Sequence, residues 1–190
     1  MTLRQAIKQV FMLIALSLAA ALSSSAQEPD VARGSADAAF TVEGWTRSVA
    51  KTGTIYYSCA SKTCSDGALV SFRRQPKYIR PNADILIAVL ETMNQSLVKR
   101  GVKITKNEIS NVQVRKLGKF LAGSAVQEQD GPDFRRLRIS RFSTIGLVSG
   151  GGKTISIFST ANDLVSSSSN FEAFVPVASQ MVCYQNSKCK

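Results

Sequence analysis

The chain has 190 residues, with 24 Lys and Arg against 13 Asp and Glu and no histidine at all. That length fits one domain with a real core. The missing histidine rules out Ser-His and Cys-His triads, the commonest metal ligand and the usual pH switch.

The first residues carry Arg4 and Lys8 and no acid, and Val10 to Leu22 then runs apolar or small with only Ser17 interrupting. Ser23-Ser24-Ser25-Ala26 supplies small residues at a cleavage site, which completes a secretory signal over residues 1–26. The apolar run is shorter than the roughly 20 residues a membrane span needs, and no later segment is apolar enough for one. We therefore expect a soluble periplasmic or secreted protein starting near Gln27, with no transmembrane segment in its mature form. Cleavage leaves 22 cations against 13 acids, a net charge of +9 over 164 residues. Such charge favours anionic contacts such as lipid headgroups or acidic polysaccharide. Residues 27–41 are small, polar and unpatterned and read as a flexible leader, and 42–190 as a single domain.

The β-branched and aromatic run Thr54–Tyr57 and the alternating run Ala68–Arg74 flank a polar turn containing Asp66-Gly67, and they predict a hairpin. Cys59 and Cys64 lie at its tip. The four cysteines, Cys59, Cys64, Cys183 and Cys189, form an even set in an exported chain and predict two disulfides. The local pairing Cys59–Cys64 with Cys183–Cys189 is the simplest, while pairing the early loop to the C-terminus would constrain the fold more. Cys-x5-Cys does not match zinc spacing, and neither pair has thioredoxin Cys-x-x-Cys spacing, so no metal site is expected.

Pro81 to Arg100 predicts the clearest helix. Ile85, Leu86, Val89, Leu90, Met93 and Leu97 share one helical face, with Lys99 and Arg100 in the last turn and Gly101 as the stop. Strands are expected at Val102–Thr105, Val112–Arg115, Lys119–Val126 and Phe134–Phe142. A second hairpin is expected from Thr144–Ser149 and Lys153–Phe158 around the Gly150–Gly152 turn. Leu164–Gln180 predicts a last helix that Pro176 should kink or begin. The fold class is α+β, an antiparallel sheet covered by two main helices in a single domain.

This element order, from Gly53 to Val182 with the helix at Pro81–Arg100, the strands at Phe134–Phe142 and Lys153–Phe158 and the late helix, resembles the PsbP-like fold family. The resemblance implies helices over a central antiparallel sheet and an adaptor or accessory role more often than an enzymatic one. It carries over no functional residue.

Ser149-Gly150-Gly151-Gly152-Lys153-Thr154 imitates a phosphate-binding loop, but position 147, where the first glycine should stand, is leucine. A glycine hairpin turn explains it, and no cofactor is implied. The most distinctive stretch is Phe134-Arg-Arg-Leu-Arg-Ile-Ser-Arg-Phe142. Read as a strand, it places Arg136 and Arg138 on one face between two phenylalanines, with Arg73, Arg74 and Lys77 able to join them across the sheet. Arginines among aromatics suit phosphate or carboxylate ligands, and a solvated sheet face is the plain alternative. Nucleic acid is not an expected partner, since no binding motif is present. Glu128, Asp130 and Asp133 cluster in one turn and read as loop solvation, and no catalytic residue is assigned. The expected function is a non-enzymatic accessory or binding protein acting through a protein partner in the cell envelope or an anionic envelope component. The alternatives are a secreted host-interacting factor binding anionic lipid or glycan, and a hydrolase using a carboxylate pair. A two-fold homodimer fits general frequencies, but nothing in the sequence specifies it.

Overall fold

Alternating apolar side chains and glycine-marked turns build a sheet from five antiparallel pairs of consecutive strands, joined by one pairing distant in sequence. The computed structural model describes residues 40–61, 64–65 and 67–184. In chain order the strands and helices are β1 (Trp45–Val49), β2 (Ile55–Cys59), β3 (Leu69–Arg74), α1 (Ala83–Lys99), β4 (Lys106–Leu117), β5 (Phe120–Asp130), α2 (Phe134–Leu137), β6 (Phe142–Gly150), β7 (Lys153–Ala161) and α3 (Leu164–Cys183). The seven strands form one sheet in the order β1-β2-β3-β7-β6-β5-β4. Every neighbouring pair is antiparallel. The α+β class holds. The expected signal peptide and most of the leader lie outside the described residues, as do the last six residues with Cys189.

Register decides which face each helix covers, because directly opposed residues share a face. Gly123 opposes Leu147, and Ile145 opposes Phe158, on one face. There α1 packs Leu86, Val89, Leu90 and Met93 onto Ala125, Ile145 and Leu147. Gly146 opposes Ile157 on the other face. There α3 packs Phe171, Phe174, Val175, Ala178 and Val182 onto Tyr57, Val70, Phe72, Val148 and Ile155. The two long helices therefore lie on opposite sides of the sheet, and they are offset. Helix α1 covers β4, β5 and β6, while α3 lies over β6, β7 and β3. Among the described residues, no helix lies on the α1 side of the half of the sheet formed by β1, β2, β3 and β7.

Local chemistry fixes the elements. Asn82 caps α1, its Oδ1 accepting from the Ile85 amide at 2.8 Å. Pro81 lies just before this cap and not within the first turn. Helix α3 starts on Asp163, which accepts from the Ser166 amide at 2.7 Å, and it runs through Pro176 to Cys183 without ending there. Cys59 and Cys64 form the expected disulfide at the β2–β3 tip. Cys183 is disulfide-bonded as well.

Three expectations change. First, Phe40, assigned to the leader, is buried in the core, where its carbonyl accepts from the Tyr57 hydroxyl. Second, Val102–Thr105 is not a strand. Instead β4 runs unbroken over Lys106–Leu117, with a register shift between Ser110 and Gln113 around Asn111, whose φ is 50°. Third, Phe134–Phe142 is not a strand. Residues Phe134–Leu137 form a short helix, with the Leu137 amide bonded to the Asp133 carbonyl at 2.8 Å, and β6 begins only at Phe142. Phe134 and Leu137, three residues apart, both pack against Leu97 and Val102 at the end of α1. That helical spacing beats the strand alternation the same residues also offer.

Candidate functional site

The uncovered part of the sheet becomes the floor of a groove of about 250 Å³. Its floor rows follow from register: Arg73 opposite Ser156, Ser71 opposite Phe158, and Leu69 opposite Thr160. On the next strand Ile145 and Ser143 continue the last two rows. Met93 and Leu97 from α1 form one wall, and Arg138, Ile139 and Ser140 close one end. Tyr56 and Thr54 from the β2 side complete the other end. The wall exists because α2 and Ile139 are held against the end of α1 by Leu97, Val102 and Phe134.

Arg73 and Arg138 are the two cations of this lining. About 13 Å of strand separates the Arg73–Ser156 row from the Leu69–Thr160 row near Arg138, so the arginines stand toward opposite ends. Arg73 is half-buried, and its Nη1 is covered and makes no hydrogen bond. Arg138 is exposed and takes a left-handed backbone with φ 54° as the cap of α2. A non-glycine residue in that region is uncommon and marks a local constraint. Burial raises the Tyr56 hydroxyl above its ordinary value of 10.0, while the Arg73 charge and a hydrogen bond with Thr54 pull the other way. The phenol therefore stays neutral at physiological pH. Among the described residues no Asp, Glu, Lys or Cys lines the groove.

The other three predicted ligand residues stand elsewhere. Arg74 follows Arg73 on β3 and so faces the α3 side of the sheet, exposed at the strand end. Lys77 lies in the loop after β3 and is not part of the lining. Arg136 turns to Asp133 at 2.9 Å instead of standing beside Arg138, because both belong to a helical turn and its cap and not to one strand face. That hydrogen bond is the main reason the Asp133 carboxyl sits below its ordinary 3.8.

The acidic cluster is likewise engaged. Glu128 pairs with Lys106 at 2.9 Å and Arg141 at 3.6 Å, and Arg141 also reaches Asp130 at 3.3 Å. Among the described residues no group of three His, Cys, Asp or Glu could hold a metal ion, and no helix is long and apolar enough to cross a membrane.

Sequence reasoning missed Tyr56, Ser71, Phe158 and Thr160. Their signal was present: in β3 and β7 the positions alternating with the core set read Leu69, Ser71, Arg73 and Ser156, Phe158, Thr160, a mixed apolar and hydroxyl face. No family model matches this chain, and no curated protein matches it. The PsbP-like resemblance thus rests on the order of elements.

Proposed function

We propose that this chain is an exported, non-catalytic binding protein whose ligand site is the groove on the uncovered half of the sheet. The observation that carries the reading is the groove's composition. It combines apolar side chains, hydroxyls, the Gln129 amide and two arginines, with no carboxylate, lysine or cysteine among its described lining residues to serve as acid, base or activated nucleophile. A mostly apolar concavity with a few polar groups suits capture of a small ligand. The clustered acids Glu128 and Asp130 are engaged in ion pairs with Lys106 and Arg141. Disulfide-bonded Cys59, Cys64 and Cys183 support an oxidising compartment, and so does the signal-like N-terminus. An accessory role in the envelope follows from these together, and the PsbP-like element order points the same way.

The test is binding of N-phenylnaphthylamine, a neutral apolar dye, to wild type and to Ser71→Trp. Ser71 sits mid-floor opposite Phe158, so the indole fills the groove. Wild type should bind the dye with one-site stoichiometry and the variant should not. Equal binding by both, or by neither, overturns the reading.

A further inference from the structure

Arg73 brings a positive charge to the groove floor that no carboxylate among the described residues answers. It is half-buried, its Nη1 is covered without a hydrogen-bond partner, and no acid among the described residues lines the cavity. Partial burial of an unpaired cation destabilises the empty protein. Departures of this kind from well-satisfied folding are characteristic of functional sites. Beyond Arg73 the floor is mostly apolar, with Leu69, Ile145 and Phe158 interspersed with the hydroxyls of Ser71, Ser143 and Thr160, and Met93, Leu97 and Ile139 flank it. Arg138, at the far end, is exposed and already hydrated.

We infer that the groove takes a single-chain anionic amphiphile, with its carboxylate or phosphate head on Arg73 and its alkyl chain along the apolar floor toward Ile139. The inference rests on the groove being a binding site, as proposed above. A planar guanidinium matches the paired oxygens of either head. Each methylene laid on the floor multiplies affinity by roughly fourfold. A free fatty acid and a monoacyl phospholipid share this chemistry, one ionic head on one chain.

The experiment titrates the purified protein, preloaded with N-phenylnaphthylamine, with dodecanoate, with dodecanoyl lysophosphatidate and with neutral dodecanol, each below its micelle concentration. Wild type, Arg73→Gln and Arg138→Gln are compared. In wild type at least one anion should displace the dye about tenfold more tightly than dodecanol. The anion that does so tells a carboxylate source from a phosphate source. Arg73→Gln should erase that preference while dodecanol still displaces the dye, and Arg138→Gln should retain it. If dodecanol matches both anions in wild type, the groove recognises no anionic head and the inference falls; if the preference survives Arg73→Gln, the assignment of the head to Arg73 is wrong. If neither dye nor dodecanol binds, the groove reading falls, and this inference with it.

Discussion

The ring of Phe171 in α3 rests on the bare Cα of Gly146 in β6: a Cβ built there would meet Cζ and Cε2 of that ring well inside contact distance. It would also lie 2.6 Å from the Gly123 carbonyl oxygen on the neighbouring strand. Neither neighbour can yield, since the ring is enclosed in the core and the carbonyl belongs to the sheet. Glycine here is what lets α3 approach the sheet closely.

Gly146→Ala should therefore lower stability by about 1–3 kcal/mol or more through overpacking. At about 2–4 °C per kcal/mol for a chain of this size, thermal unfolding should show a clear drop in Tm. An unchanged Tm would mean α3 does not sit as described. Ala at Gly152, where φ is +78° but nothing lies within 4 Å, should cost less and only through backbone strain.

Asp163 joins α3 to the loop that carries the disulfide. It caps the helix through the Ser166 amide, and Ser65 donates to its other oxygen at 3.5 Å. Hydrogen bonds from Ser166, with a contribution from Ser65, hold the carboxyl below its ordinary 3.8. A carboxyl lowered on folding stabilises the native state fully above the ordinary value, and that contribution fades as pH falls through the lowered one. Asp163→Ala should cost about 1 kcal/mol at neutral pH through loss of the cap. Melts of the two proteins from pH 7 down to pH 3 should converge as the wild-type carboxyl protonates. A gap that is constant across this range would refute the charged cap.

The Cys59–Cys64 bridge spans a sequence separation of 5. A loop this short is worth only about 2 kcal/mol in the chain-entropy model. The Cys59→Ala/Cys64→Ala protein should thus fold and melt several degrees lower. Gly67 and Leu69, just beyond the bridge, line the groove, so binding of the neutral dye should weaken in parallel. Unaltered dye affinity in the double variant would show that the hairpin tip does not shape the groove.

How much of this was legible in the sequence depended on whether one element carried its own signal. Helix α1 could be read because Leu86, Val89, Leu90, Met93 and Leu97 stripe a single face, and all five are buried. The β6–β7 hairpin announced itself through Gly151 and Gly152, both with positive φ. Edge strand β4 was legible only at Val112–Arg115; its first half was not, because Lys106, Asn107 and Glu108 lack the apolar alternation of a strand with a buried face. Helix α3 tolerates Pro176 because Phe174, Val175 and Ala178 around it are deeply buried, and packing outweighs one missing backbone hydrogen bond. Phe134–Phe142 satisfied two periods at once, and tertiary contacts with Leu97 and Val102 decided for the helical turn. The groove itself was invisible. It exists because two helices cover opposite faces at an offset, and no local pattern encodes an offset.

Export makes a prediction of its own. Produced in a Gram-negative host with its native N-terminus, the protein should appear outside the cytoplasm with a mass starting at or near Gln27. Leu16→Arg, which breaks the apolar run, should leave the uncleaved precursor inside the cell. Recovery of full-length wild type from the cytoplasm would remove the export reading.

The last prediction separates stability from function at one residue. If Arg73 is retained for a ligand, then the empty protein is destabilised by it, since Nη1 is covered without a partner. Arg73→Met keeps an unbranched stem over the same floor and removes both the charge and the unsatisfied donor. Replacing an unsatisfied buried polar group with an apolar one of similar shape is stabilising by about 1 kcal/mol. The variant should therefore melt about 2–4 °C above wild type in the absence of ligand. Adding dodecanoate should reverse the order, because a ligand that binds only the native state raises the wild-type melting point and leaves the variant nearly where it was. A variant less stable than wild type with no ligand present would show that Arg73 is a structural residue with a counter-charge of its own. Arg138→Met supplies the comparison: its exposed guanidinium carries no such cost, so its melting point should stay at the wild-type value.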